Sequence, residues 1–379
     1  MREVVIAGVG IHKFGRYQDK TFEQIGQEAV RMALRDANNM PFKDIQIAFC
    51  GHMHGGTGAG HRVLSGIGLT GIPIVNVETA CASGATALQQ AANGIAAGFY
   101  DVALALGVEK MPRGFMRMTS FPQWQMLSGL GVNPIFFALR ATRHMARYGT
   151  TEQQLARVSE KNHRNAVLNP YAMYQKALST EEILNSPIVC YPLHLLMLCA
   201  PNEGAAAAIL CSRDVASKYT SKPVTVAAVC TSVARYGTSQ SDVGMSSRIQ
   251  NPEATEVVAR QAYEKSGIGP EDLSLVELQD TDSASEIIFY EELGLCPPGE
   301  GGRLLDEGRT ERDGDIPVSV SGGLLSKGEP TGASALGQIF EVTLQLRGDA
   351  GPRQIPGARV GLCHVTGAGG NAAVTILKR

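Results

Sequence analysis

The chain has 379 residues, 44% of them hydrophobic and 18% charged, which is enough apolar content for a large core in one tightly joined pair of domains. Its formal net charge of -2 gives no global attraction to nucleic acid. No run of about 18 apolar residues is present, MREVVIAGVG reads as a strand rather than a signal peptide, and the eight cysteines include no C-x-x-C pair. The expectation is a cytoplasmic protein with reduced cysteines, no membrane span, no bound metal and no zinc ribbon of its own.

In chain order, residues 4–7 predict a first strand. Thr21 then opens a helix, with Gln24 placed three residues on for a capping box. Residues 45–49 predict a second strand, followed by the loop GHMHGGTGAGH. A strand over 74–77 leads into Cys81, a small-residue helix spans 83–97, and another strand covers 102–106. Residues 111–198 are rich in Met, Phe, Arg and Pro and carry an amphipathic helix over 151–166, which reads as an insertion that caps a site. Strands resume at 205–210 and 224–231.

A second half begins near Thr255 with a long helix, then a strand over 273–277 and a helix over 283–293. A strand at 317–321 runs into a Gly-rich turn and a helix over 331–346. Two closing strands, 359–362 and 372–377, flank a Gly loop. The pattern is α/β, with domains at 1–250, including the insertion at about 111–198, and 251–379. The halves look like two βαβ-type modules, although too little identity remains to prove a repeat.

The segment VNVETACASGATALQQAANGIAAG sets Cys81 after a strand and at the start of a helix. Free N–H groups and the positive end of the helix dipole favour thiolate there, which suits a nucleophile. A buried structural cysteine is the competing reading.

ETACASGATAL followed by ALALGVEKM resembles the nucleophile region of thiolases. VELQDTDSASEIIFYEELGLCPPGEG, SGGLLSKGEPTGASALGQIFEVTLQLRG, NEGAAAAIL and HVTGAGGNAAVTIL continue the match over the whole chain. The chain is similar to the sterol-carrier-protein-X type of thiolase and its bacterial and archaeal relatives. This resemblance implies a five-layer αβαβα fold of two similar halves with a loop domain over the site. It also implies an acyl-cysteine intermediate, coenzyme A as co-substrate with no other cofactor, and a homodimer. A small partner with a zinc ribbon and an OB-fold accompanies many such relatives.

Several motifs depart from the family pattern. The Gly-His-Pro turn reads Gly328-Glu329-Pro330, so a carboxylate replaces the imidazole that activates the nucleophile. The His-Asp-Cys-Phe motif reads Gln279-Asp280-Thr281-Asp282, which removes the oxyanion-binding His and the acid/base Cys. The Asn-Pro-Ser-Gly-Gly segment reads Ser319-Val320-Ser321-Gly322-Gly323, and no Cys-x-Gly-Gly-Gly motif is present.

Thiolase chemistry needs a nucleophile, a base, donors for the developing alkoxide and enolate, and an acid for the α-carbon. Cys81 supplies the first and Glu329 the second, if burial raises its pKa so that the two share one proton. His54 and His364 are the candidates for the missing imidazole functions, ahead of His52 and His144. Gly323, Gly369 and Gly370 are the candidate coenzyme contacts. Asp280 and Asp282 read as helix N-caps, and Glu203 and Tyr290 as structural. Arg113, Arg117 and Arg143 are candidates for phosphate or carboxylate contacts.

The altered motifs point to cleavage or formation of a β-keto acyl-CoA with a non-acetyl group, branched or aromatic, as in benzoylsuccinyl-CoA. Three other readings stand beside it. They are an aldol-type lyase on a β-hydroxy acyl-CoA, a CoA-independent carbon acyltransferase, and an inactive scaffold.

Overall fold

The computed structural model describes residues 1–114, 123–233, 253–368 and 370–379. Its first half runs β1 (Val4–Gly15), α1 (Phe22–Asp36), β2 (Ile47–Gly51), α2 (Ala59–Ser65), β3 (Ile74–Val77), α3 (Ser83–Ala96) and β4 (Val102–Lys110). The loop domain follows, with α4 (Gln123–Leu127), α5 (Asn133–Tyr148), α6 (Glu152–Ala166), α7 (Thr180–Leu184) and a hairpin of β5 (Ile188–Cys190) and β6 (Leu193–His194). The chain returns through β7 (Glu203–Ser212) and β8 (Val224–Val233). The second half then continues with α8 (Ala254–Ser266), β9 (Leu275–Glu277), α9 (Ser283–Glu292), α10 (Gly301–Asp306), α11 (Ser334–Arg347), β10 (Val360–Gly367) and β11 (Asn371–Lys378).

Among the described residues, nine strands line up in one sheet in the order β3-β2-β4-β7-β1-β8-β11-β10-β9. The halves meet where β1 pairs β8 through Val5↔Thr225 and Ile6↔Val224 alone. On one side β3, β2 and β4 are parallel, and β7 runs antiparallel to both β4 and β1. On the other side β9 is parallel to β10, and β11 runs antiparallel to both β10 and β8. The two halves therefore share one strand order, mirrored at the join, so the repeat that identity could not prove is present in the topology.

Two sequence expectations change. β8 pairs with β11 along most of its length, so it belongs to the second half, whereas a boundary at 250 places it in the first. The strand predicted at 317–321 reduces to one bridge, Val276↔Val318. Ser319 takes a φ of +55°, which leaves extended backbone and ends the pairing there.

The two halves of this sheet face each other across α3 and α11, which pack on strands of both, and they serve as a first and a second sheet. Their strands read as near-continuous apolar runs because helices cover both faces of each. Of β4, all but Lys110 is buried. Helices α1 and α2 pack on the outer face of the first sheet. Helices α3 and α11 lie between the sheets. Helices α8 and α9 cover the outer face of the second, with α5 and α6 packed on α9. Five layers result. The turn into α11 packs very close to both α3 and β4: a Cβ added at Gly84 of α3 would lie 3.0 Å from the Gly332 carbonyl oxygen, and one at Gly107 of β4 2.4 Å from it. Small residues at the start of α3 are what permit this approach. Helix α1 begins with the predicted capping box, the Thr21 side chain accepting from Gln24 N.

Candidate active site

Cys81 sits two residues ahead of α3, in a turn closed by Ser83. The Ser83 hydroxyl accepts from Thr79 N at 2.9 Å and donates to the Ala80 carbonyl at 2.6 Å. Ala80 holds a φ of +52°, a left-handed conformation that costs a non-glycine residue about 1 kcal/mol or more. Gly367, at the end of β10, backs onto this turn, and a Cβ there would stand 2.5 Å from the Thr79 carbonyl oxygen. The C-terminal Gly loop thus begins against the Cys81 turn.

Glu329 enters from the turn before α11. Pro201 bridges it from the segment just before β7. Its carboxylate is buried, with the residue 5% exposed. Gln279 donates to Oε1 at 2.7 Å, the Cys199 thiol donates to Oε2 at 2.8 Å, and the Cys81 thiol donates to the same carboxylate. Burial pushes the Glu329 carboxyl above its usual range, opposed by the hydrogen bonds from Cys199, Cys81 and Gln279. Burial, followed by the neighbouring Glu329 charge, pushes the Cys81 thiol well above its ordinary value. The helix N-terminus does not overcome these effects, so the resting sulfur is a thiol rather than the thiolate expected from the dipole.

Cys199 is the residue that sequence reasoning missed. Burial and the Glu329 charge raise its thiol as well. Its backbone N–H donates to the Thr281 carbonyl at 2.9 Å, and the preceding Leu198 bridges Asp282. Thr281 is the position where the thiolase resemblance expects the acid/base cysteine, so a thiol is present on the segment bridged to it. The available signal was its place just before NEGAAAAIL, a segment already tied to the family.

The other candidates fall in different places. The exposed His54 directs Nδ1 to the buried Glu109 at 3.3 Å. Glu109 also accepts from Met53 N, His54 N, Thr331 Oγ1 and Gly332 N, and so ties the His loop to the turn before α11. Burial pushes Glu109 up, but hydrogen bonds led by His54 and Thr331 hold it below the usual range.

His364 does not reach the site. It projects from the face of β10 opposite Cys363, meets Thr255 Oγ1 at 3.1 Å and packs edge-on to Phe289. Burial there lowers its pKa to about 3. His144 is likewise structural, between Thr150 at 2.8 Å and Glu291 at 3.1 Å. His52 is half-buried, and its Nδ1 has no partner among the described residues.

Gly323 is a packing position rather than an open coenzyme contact. It has a φ of +59°, and an added Cβ would lie 1.9 Å from Asp280 Oδ2. Asp280 needs that space because it accepts from Leu324 N at 2.6 Å and Leu325 N at 3.2 Å, capping the π-turn Gly323–Lys327. Asp282 is the N-cap of α9, accepting from Ser285 N at 3.0 Å. Gly370 is buried in the turn between β10 and β11 at a φ of +80°. Gly369 and Arg117 lie outside the described residues, and Arg143 lies 3.9 Å from Glu253.

A cavity of about 650 Å³ opens onto Glu329 and Cys199. Phe137, Leu178, Leu195, Leu198 and Leu325 form much of its wall, and Arg16, Arg113 and Lys176 also line it. That volume suits a ligand of medium size.

Residues 4–214 match the thiolase N-terminal domain, and residues 236–379 match the thiolase C-terminal domain-like family. The chain belongs to the thiolase family and is an acyltransferase of that class. It is 40% identical to the acetyl-CoA acetyltransferase of Methanothermobacter thermautotrophicus, covering 100% of both chains. It is 38% identical to the benzoylsuccinyl-CoA thiolase subunit BbsB of Thauera aromatica, covering 99% of this chain and 97% of that one. Among solved structures, the Ltp2-ChsH2(DUF35) aldolase superposes with a TM-score of 0.89 at 25% identity, covering 99% of this chain and 97% of that one.

Proposed function

We propose that this protein cleaves or forms a β-keto acyl-CoA through an acyl-Cys81 intermediate, with Glu329 as the base. The observation that carries this reading is the buried Glu329 carboxylate, held by Gln279 at 2.7 Å and by the Cys199 thiol at 2.8 Å and set against the Cys81 thiol, where burial raises its affinity for a proton. As the sulfur attacks the ketone carbon, its proton moves to Glu329. Gln279 keeps one carboxylate oxygen fixed while the other accepts from the Cys199 thiol. A base with a raised pKa both accepts the thiol proton and holds it long enough to return it.

The apolar wall of Phe137, Leu178, Leu195 and Leu198 supports an acyl group larger than acetyl, branched or aromatic. Coenzyme A is the co-substrate in this reading, and Arg113 and Lys176 offer positive charge at the cavity for its phosphates. Edge strand β3, with Val75 40% exposed, supports pairing with a second copy. The pairing of two proteins in the Ltp2-ChsH2(DUF35) aldolase and the subunit status of BbsB support a small partner, for which a zinc-ribbon and OB-fold protein is our proposal. No helix among the described residues is long and apolar enough to cross a membrane, which is consistent with a proposed cytoplasmic location.

A second reading, an aldol-type lyase acting on a β-hydroxy acyl-CoA, is supported by the similarity to the Ltp2-ChsH2(DUF35) aldolase. Intact mass after incubation with a panel of acyl-CoAs separates the two. A thiolase retains an acyl adduct that Cys81→Ala loses. A lyase shows no adduct and cleaves equally well as Cys81→Ala.

A further inference from the structure

We propose that Cys199 is a second catalytic thiol, the acid that protonates the α-carbon of the departing acyl-CoA enolate, with Glu329 relaying the proton from Cys81 to it. The proposal rests on the reading of this pocket as a carbon–carbon cleavage site. It does not require the covalent step, because an aldol-type cleavage releases the same enolate.

Three observations place Cys199 in this role. Its thiol donates to Glu329 Oε2 at 2.8 Å, on the carboxylate that also receives the Cys81 thiol. It lines the cavity beside Glu329, Leu198 and Thr281, and is partly exposed there, whereas Cys81 is 7% exposed. Its backbone is hydrogen-bonded to Thr281, in a motif that has lost its own thiol. A thiol held in its neutral form by burial and an adjacent carboxylate retains the proton that an acid must give.

The steps balance with no added reagent. Cys81 passes its proton to Glu329 while its sulfur bonds to the ketone carbon. The carbon–carbon bond then breaks, and its electron pair goes to the enolate of the leaving thioester. That carbon takes the proton of Cys199, and the resulting thiolate takes the proton held by Glu329. The proton lost by Cys81 therefore ends, in effect, on the product carbon, and both Glu329 and Cys199 return to their starting forms. Free coenzyme A thiol next attacks the acyl-Cys81, and its proton reaches the departing Cys81 sulfur through Glu329.

The test uses Cys199→Ala and Cys199→Ser in the full chain, with two readouts. Acyl loading of Cys81 from propionyl-, succinyl- and benzoyl-CoA needs no proton at carbon. Exchange of the α-protons of propionyl- and succinyl-CoA with deuterated water needs the acid but no covalent adduct. We expect loading within about threefold of wild type and exchange reduced about 100-fold or more in both variants, the size usual for removal of a general acid. Cys199→Ser is the fold control, since its hydroxyl keeps a donor toward Glu329 but is a far weaker acid. Wild-type exchange rates in both variants would overturn the proposal. So would equal loss of loading and exchange in a folded Cys199→Ser protein, which is the signature of a structural role. A wild type that exchanges α-protons but never loads Cys81 would remove the acyl-enzyme reading, and the fall in exchange would still decide the Cys199 assignment.

Discussion

The Cys199 thiol donates to Glu329 Oε2 at 2.8 Å, so the carboxylate that interacts with Cys81 also serves a second sulfur. One acid group between two thiols replaces the imidazole that the family resemblance leads one to expect in the Gly328-Glu329-Pro330 turn. Unlike a histidine, a carboxylate beside a thiol repels the thiolate. The arrangement works only if the proton is shared rather than surrendered, and burial enforces that by penalising charge on all three groups.

Removing the carboxylate charge should separate reactivity from catalysis. In Glu329→Gln burial still raises the Cys81 thiol, but the added repulsion from the carboxylate is gone, so the pH profile of Cys81 alkylation should move to lower pH. Carbon–carbon cleavage should nevertheless fall about 100-fold or more, because the base is lost. An alkylation profile that stays in place would show that Glu329 does not set the state of Cys81.

Gln279 donates to the charged form of Glu329 at 2.7 Å. Gln279→Leu removes that donor and favours the protonated carboxyl further. The limb of the cleavage rate that depends on the ionised base should then shift to higher pH. A profile identical to wild type would show that the amide has no influence on the base.

Gly323→Ala should be costly for folding rather than for coenzyme affinity. The new methyl would meet Asp280 Oδ2 at 1.9 Å at a φ of +59°. We expect a loss of about 2 kcal/mol or more in urea unfolding, from left-handed strain plus the clash. A loss under about 0.5 kcal/mol, the range of ordinary surface substitutions, would contradict this placement.

His364 gives a prediction about acid stability. Its folded-state pKa, about 3, lies below the ordinary 6.5 because burial opposes the charged ring. The unfolded chain therefore binds more protons between those values. The stability present above pH 6.5 is lost as pH falls toward 3, at a slope approaching about 1.4 kcal/mol per pH unit from this one group. His364→Leu should flatten the acid side of a melting-temperature profile while retaining cleavage activity. An unchanged acid slope, or lost activity in a folded variant, would contradict a packing role.

Much of this architecture was legible in the sequence because apolar runs, caps and small-residue helices are local signals. The strand at 74–77, the Thr21–Gln24 capping box and the helix after Cys81 sit where their residues dictate. The segment 317–321 misled because its β-like composition does not reveal a Ser319 in the left-handed region. The site was legible in part. Cys81 and Glu329 stood out as a match and a departure within one motif family. His364 and Cys199 could not be sorted by type, because the deciding facts are non-local. Alternation along β10 turns His364 toward Phe289, and the Leu198↔Asp282 bridge carries Cys199 beside Thr281 and Glu329. His54 next to the Cys81 strand looked available, but Glu109, two strands away in sequence, takes its ring nitrogen.

The central claim is that carbon–carbon cleavage passes through an acyl group on Cys81. Acid-quenching the wild-type protein during turnover with a β-keto acyl-CoA, then mapping the acylated peptide by mass, tests it most directly. The account predicts a thioester on the peptide containing Cys81, formed at a rate that supports turnover, discharged by free coenzyme A and absent in Cys81→Ala. Turnover without that adduct, undiminished in Cys81→Ala, would contradict it.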